Sequence, residues 1–134
     1  MKRKWIAALL VVLSVLLLTG CDHGNADFVT RETSESALFS QKEQSGAMDA
    51  VCQQFEKGFP GCYLLKLWYD EAETLRETER HELPQGDVMV LTSHFWVDGS
   101  GKSSGLNPAS FYQNWKWILV RENGTWKVED WGYA

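Results

Sequence analysis

Phe111-Tyr112-Gln113-Asn114-Trp115-Lys116-Trp117-Ile118-Leu119-Val120-Arg121-Glu122-Asn123-Gly124-Thr125-Trp126-Lys127-Val128-Glu129-Asp130-Trp131-Gly132-Tyr133 reads as a β-hairpin. Asn-Gly is a strong turn signal because both residues tolerate the positive φ of a type I′ turn. A two-residue turn there sets Arg121 opposite Trp126, Leu119 opposite Val128 and Trp117 opposite Asp130, and opposed residues share a face. One face then carries Trp115, Trp117, Leu119, Trp126 and Val128, with the Asp130 carboxylate among them. The other carries Lys116, Ile118, Val120, Lys127, Glu129 and Trp131. The first face is the more apolar and is expected to meet a helix. A slip of one residue would reverse the assignment.

Upstream, Ser40-Gln41-Lys42-Glu43 fits a capping box, and Ala47, Met48, Val51, Cys52, Phe55 and Phe59 recur at helical spacing. A helix is expected from about Gln41 to Lys57, weakened slightly by Gly46 and ended by Gly58, Pro60 and Gly61. Cys62–Tyr69 reads as a strand, and Asp70-Glu71-Ala72-Glu73 as the start of a short polar helix reaching about His81. After the turn Pro84-Gln85-Gly86, Asp87–Val97 is a strand with apolar residues on both faces. Asp98–Ser110, with four Ser and three Gly, is a long loop. The fold class is α+β: an N-terminal helix packed on a curved antiparallel sheet of about four strands.

Gly61-Cys62 with Leu64, the run Trp68-Tyr69-Asp70-Glu71, Trp115–Leu119 and the tail Trp126–Tyr133 resemble a group of uncharacterised Gram-positive lipoproteins. The resemblance spans roughly residues 40–134. It implies a cystatin-like roll, close to the nuclear transport factor two type, although the chain is short for a full cone of that type. The family has no assigned activity, so the resemblance transfers no catalytic residue.

The other end of the chain is an address. Lys2, Arg3 and Lys4 precede an apolar run from Trp5 to Leu18. The run is shorter than the roughly 20 residues of a bilayer-spanning helix and reads as a secretory signal; an uncut short anchor is the other reading. Leu18-Thr19-Gly20-Cys21 resembles a bacterial lipobox. That implies cleavage before Cys21, a thioether-linked lipid on its sulfur and a palmitate-like chain on its nitrogen. Two or more acyl chains give stable anchoring. Asp22 resembles an inner-membrane retention signal of two-membrane cells. The expected organisation is a signal peptide at 1–20, a lipid-anchored disordered tether at 21–39 and one domain at 40–134. The polar composition of residues 22–39 supports the tether. Its 18 residues would span at most about 60 Å.

Losing residues 1–20 removes three of the 13 basic side chains and none of the 18 acidic ones, leaving a net charge of −8. Such a charge argues against nucleic acid and against electrostatic docking to anionic lipid. Cys52 and Cys62 remain in an oxidising compartment, where they form either a disulfide or two free thiols. A bridge would close a loop of roughly ten residues and contribute about 2–3 kcal/mol.

No nucleophile triad, P-loop or dinucleotide motif is present, and His81-Glu82 lacks the second His of a zinc-protease helix. No cofactor or metal is implied. Asp70, Glu71 and Glu73 suit a helix start better than a cation loop. Asp130 on the tryptophan face is either a general base or ligand-binding acid, or a structural acceptor for a buried N–H. With His94 or Tyr69 it would complete a pocket walled by Trp115, Trp117 and Trp126, the His94–Asp130 pair being the nearest approach to an acid–base dyad. Six tryptophans lie beyond the signal, and most are expected in the core. Trp68, Trp96 and Trp131 are the ones to examine for exposure. Two function classes remain. One is a displayed, non-enzymatic module binding an envelope protein, peptide or glycan, and it requires an exposed aromatic patch. The other is a small enzyme or ligand binder, and it requires a cavity around Asp130.

Overall fold

The computed structural model describes residues 23–103 and 105–133. The signal segment and Cys21 therefore lie outside the described residues. Strands β1 (Thr30–Glu32), β2 (Cys62–Tyr69), β3 (Val88–Val97), β4 (Ser110–Glu122) and β5 (Thr125–Gly132) form one sheet in that order. Helix α1 (Gln41–Gly58) packs on the inner face. Helix α2 (Glu71–His81) packs on the outer face through Thr74 and Thr78. The fold is α+β, but the sheet has five strands and is mixed, because β1 runs parallel to β2.

Helix α1 starts where the capping box places it: Ser40 Oγ accepts from the Glu43 backbone N–H at 3.1 Å. Its stripe of Ala47, Met48, Val51, Cys52 and Phe55 is buried and, with Phe59, meets Leu64, Leu67, Met89, Leu91, Phe95, Trp117 and Leu119 of the sheet. Burying each large side chain contributes roughly 1.5–3 kcal/mol, which outweighs the cost of Gly46. One stripe residue is polar. Gln44 is fully buried and acts as a clamp, donating from Nε2 to the carbonyls of Ser34 (2.8 Å) and Phe39 (3.2 Å) and accepting from Ser34 N–H.

Residues 24–39, read from composition as a disordered tether, are instead part of the domain. Asn25 bridges to Tyr63, β1 lies along the edge of β2, and Phe39 is buried against Tyr69 and Trp126. Mean composition hid this because a few apolar residues (Ala26, Val29, Leu38, Phe39) and backbone bonds hold a mostly polar segment. Gly24 begins it. Its N–H donates to Glu56 O at 3.0 Å, and a Cβ there would lie 2.3 Å from Phe55 O.

The hairpin turns at Asn123 (φ 52°) and Gly124 (φ 76°). Its first pairs, Arg121 with Trp126 and Leu119 with Val128, follow the sequence expectation. Opposite the step from Leu119 to Ile118, β5 then carries one extra residue, Glu129, as a bulge, so Ile118 pairs with Asp130 and Trp117 with Trp131. One extra residue moves every later side chain to the other face. Asp130 therefore leaves the tryptophan face, and Trp131 joins it.

Helix α2 follows from the unequal lengths of β2 and β3. The last pair of these strands is Tyr69 with Leu91, which leaves the backbone of Val90 without a strand neighbour on that side. Asp70 N–H donates to Val90 O (3.1 Å), and Val90 N–H donates to Thr74 Oγ1 (2.9 Å). Asp70 also caps the helix by accepting from Glu73 N–H.

Candidate functional site

The inner face is filled. Trp117 is fully buried, its ring 6.3 Å from Phe55, 5.3 Å from Phe59 and 5.9 Å from Trp131, and its Nε1–H donates to Ser93 Oγ at 2.8 Å. Trp126 is apart from it, edge-on to Phe39 with the Arg121 guanidinium 4.7 Å above its ring. Trp115 packs on Phe59, Phe95 and Tyr112. A cleft of about 240 Å³ remains at the rim beside Trp115 and Trp131. The pocket expected from Trp115, Trp117 and Trp126 around Asp130 is not formed: each ring packs on other aromatic side chains instead, and the bulge turns Asp130 outward.

Asp130 is exposed and accepts from the N–H of Trp131. It borders a cleft of about 120 Å³ with Glu77, Arg80 and Lys116. That is below the roughly 300 Å³ of small-molecule sites. His94 belongs elsewhere. Asp130 pairs with Ile118, which pairs with Val90, four residues along β3 from His94. Four residues are about 13 Å, on top of two strand spacings of about 4.8 Å. The acid–base dyad is therefore excluded. His94 Nδ1 accepts from Asn114 N–H at 3.2 Å, and its ring lies 4.8 Å from Trp68. Tyr69 lies on the inner face of β2, three strands from β5. Its hydroxyl neighbours Ser36 at 3.4 Å, and burial raises its pKa.

Cys52 and Cys62 are free, so the disulfide alternative does not hold. They serve separate neighbourhoods: Cys52 Sγ accepts from Arg31 at 3.5 Å, and Cys62 Sγ lies 3.5 Å from Ser103 Oγ. Burial pushes both thiols up, which keeps them protonated and poorly nucleophilic. The acids at the start of α2 are committed too. Asp70 caps, Glu71 accepts from Ser36, and Glu73 pairs with Lys116 at 2.8 Å. Glu77, buried under α2, pairs with Arg80 and His81. Among the described residues, no group of three or more His, Cys, Asp or Glu is placed to hold a metal ion.

The outer face offers the better site. Helix α2 covers it only near Val88–Thr92. Beyond that, Tyr63, Trp96 and Phe111 face one another across β2, β3 and β4, and Leu65 is thrown outward by the bulge between Leu64 and Lys66. Phe111 is 62 % exposed, Tyr63 41 % and Leu65 38 %. The Trp96 and Phe111 rings touch at 4.7 Å. Together with Asp98 they line an open, almost wholly apolar hollow of about 620 Å³. Asp98 stands at its rim, its carboxyl held below the usual range by hydrogen bonds from Ser100 that shape the 98–110 loop. Of the tryptophans singled out for exposure, Trp68 and Trp96 are half-buried on this face and Trp131 is exposed on the other.

No family model, curated protein or solved structure matches this chain.

Proposed function

We propose that the protein is a lipid-anchored, extracytoplasmic bacterial lipoprotein. Its domain is a non-enzymatic module that binds a component of the cell envelope through the bare half of the outer sheet face. The observation that carries this reading is the aromatic row Tyr63–Trp96–Phe111 with Leu65. It is an exposed apolar patch on a domain whose core is solid, and such patches mark interaction surfaces. The lipobox at Leu18–Cys21 supports the anchor, and the likeness to Gram-positive lipoproteins of cystatin-like fold is part of the same proposal. No helix among the described residues is long and apolar enough to cross a membrane.

The test is metabolic labelling with radioactive palmitate in a bacterial host. The reading requires label on the wild-type chain, none on Cys21→Ser, and release of Cys21→Ser into the medium or periplasm. It also requires that protease added outside the cytoplasmic membrane digests the wild-type domain. An unlabelled wild-type chain retained in the cytoplasm would overturn the reading.

A further inference from the structure

We propose that the Tyr63–Trp96–Phe111 face rests in the headgroup layer of the bilayer that carries the lipid on Cys21, so that the domain lies against its own membrane. This deepens the binding reading above and rests on its lipid anchor.

The first support is the number of residues between Cys21 and the first held position. Gly24 is buried against the end of α1, with its N–H on Glu56 O. Asn25 is bonded on both sides, donating to Cys62 O at 2.9 Å and accepting from Leu64 N–H at 2.8 Å. The chain is therefore already held by the domain at Gly24, three residues after Cys21. Three residues reach at most about 10 Å, far short of the span that an 18-residue tether would allow.

The second support is where that short chain leaves. Asn25 bridges the backbone of Tyr63, whose ring belongs to the patch, at the sheet edge, with Gly24 on the α1 side of that edge. Cys62, Val97 and Ser110 pair in one row, so the chain's departure, the bare aromatic face and the 98–110 loop share one end of the sheet. Phe28, 83 % exposed, lies along the same edge, between Asn25, opposite Tyr63, and Thr30, opposite Lys66. A lipid on Cys21 would bring this end, and not the end bearing α2, to the membrane.

The third support is chemistry. Tyrosine and tryptophan rings concentrate at the headgroup level because one part of each ring system is apolar and another is polar. Tyr63, Trp96, Phe111 and Leu65 supply that composition, with no basic residue among the described residues that line the hollow. The contact would need no anionic lipid, as befits a domain of net charge −8.

The test uses the full chain, recovered from bacterial membranes and reconstituted in phosphatidylcholine vesicles with or without acyl-brominated phosphatidylcholine, which quenches nearby indoles. Wild type is expected to be quenched. Trp96→Phe is expected to lose most of that quenching, and Phe111→Ser, at an exposed position outside the core, to weaken it. Trp131→Phe, on the opposite face, is expected to keep it. A chain that carries palmitate but shows quenching indifferent to Trp96→Phe would overturn the membrane contact alone and leave the patch to a protein or glycan. A wild-type chain without palmitate would remove the anchor and this proposal together.

Discussion

Gly24→Ala probes how firmly the N-terminal segment is bound, because that position admits no side chain. A Cβ there would lie 2.3 Å from Phe55 O and 2.8 Å from Phe59 O. Both oxygens belong to the backbone at the end of α1 and cannot swing aside. The segment must retreat, taking with it the bonds Gly24 N–H to Glu56 O, Asn25 N–H to Cys62 O and Leu64 N–H to Asn25 O. At about 1 kcal/mol each, their loss destabilises the domain by about 2–4 kcal/mol once the exposure of Ala26 is included. Gly46→Ala is the matched control. It makes the same chemical change at an exposed helix position where the nearest other atom, Trp126 Cδ1, is 3.9 Å away. There the gain in helix propensity should stabilise by about 0.5–1 kcal/mol. Urea unfolding of residues 21–134, followed by tryptophan emission, measures both, and native-state hydrogen exchange at the Leu64 amide reports whether the segment has detached. A Gly24→Ala midpoint equal to wild type, with Leu64 still protected, would refute the reasoning.

Gln44→Leu keeps the volume but strips partners from Ser34 N–H, Ser34 O and Phe39 O, so a loss of about 2 kcal/mol is expected in the same urea titration. Ser93→Ala leaves the buried Trp117 Nε1–H without its acceptor and should cost about 1–3 kcal/mol, with a changed near-ultraviolet circular dichroism of the indole. The hydrogen bond from Lys116 holds the Glu73 carboxyl below the usual carboxylate range in the folded state. Its stabilisation is therefore present above the unfolded carboxyl's titration and lost as pH falls through the folded one. Lys116→Met should cost about 1 kcal/mol or less at pH 7, and thermal melts should show that difference from wild type shrinking in acid.

Local chemistry made most of the fold legible. The capping box at Ser40, the Asp70 cap and the Asn123-Gly124 turn each satisfy a specific backbone need, so the elements they bound lie close to their expected places. Strand β1 was not legible: three exposed residues carry no periodicity, and their partners lie 36 residues along the chain. The bulge at Glu129 was equally hidden, since no glycine marks it, and it alone displaced Asp130 from the supposed pocket. Gln44 did leave a signal, as a polar residue on the apolar stripe of α1. The fate of Cys52 and Cys62 depends on a separation in space that sequence spacing does not determine.

The bare aromatic face has a geometric origin but not a geometric composition. Helix α2 has 11 residues and is about 16 Å long, while the ten residues of β3 extend about 33 Å. Its start is tied to Val90 through Asp70 and Thr74, so it covers only the half of β3 from Val88 to Thr92. The other half must face outward. A strand with one solvated face ordinarily alternates apolar with polar residues. Where α2 ends its cover, half-buried Lys66 and His94 obey that rule. Farther along, Tyr63, Leu65, Trp96 and Phe111 break it, although nothing in the packing of the inner core requires apolar residues there. Folding explains why the surface is open. It does not explain why the surface is aromatic. A contact with something apolar outside the domain would, and with the lipid proposed on Cys21 the bilayer would lie within the roughly 10 Å that three residues can span from Gly24.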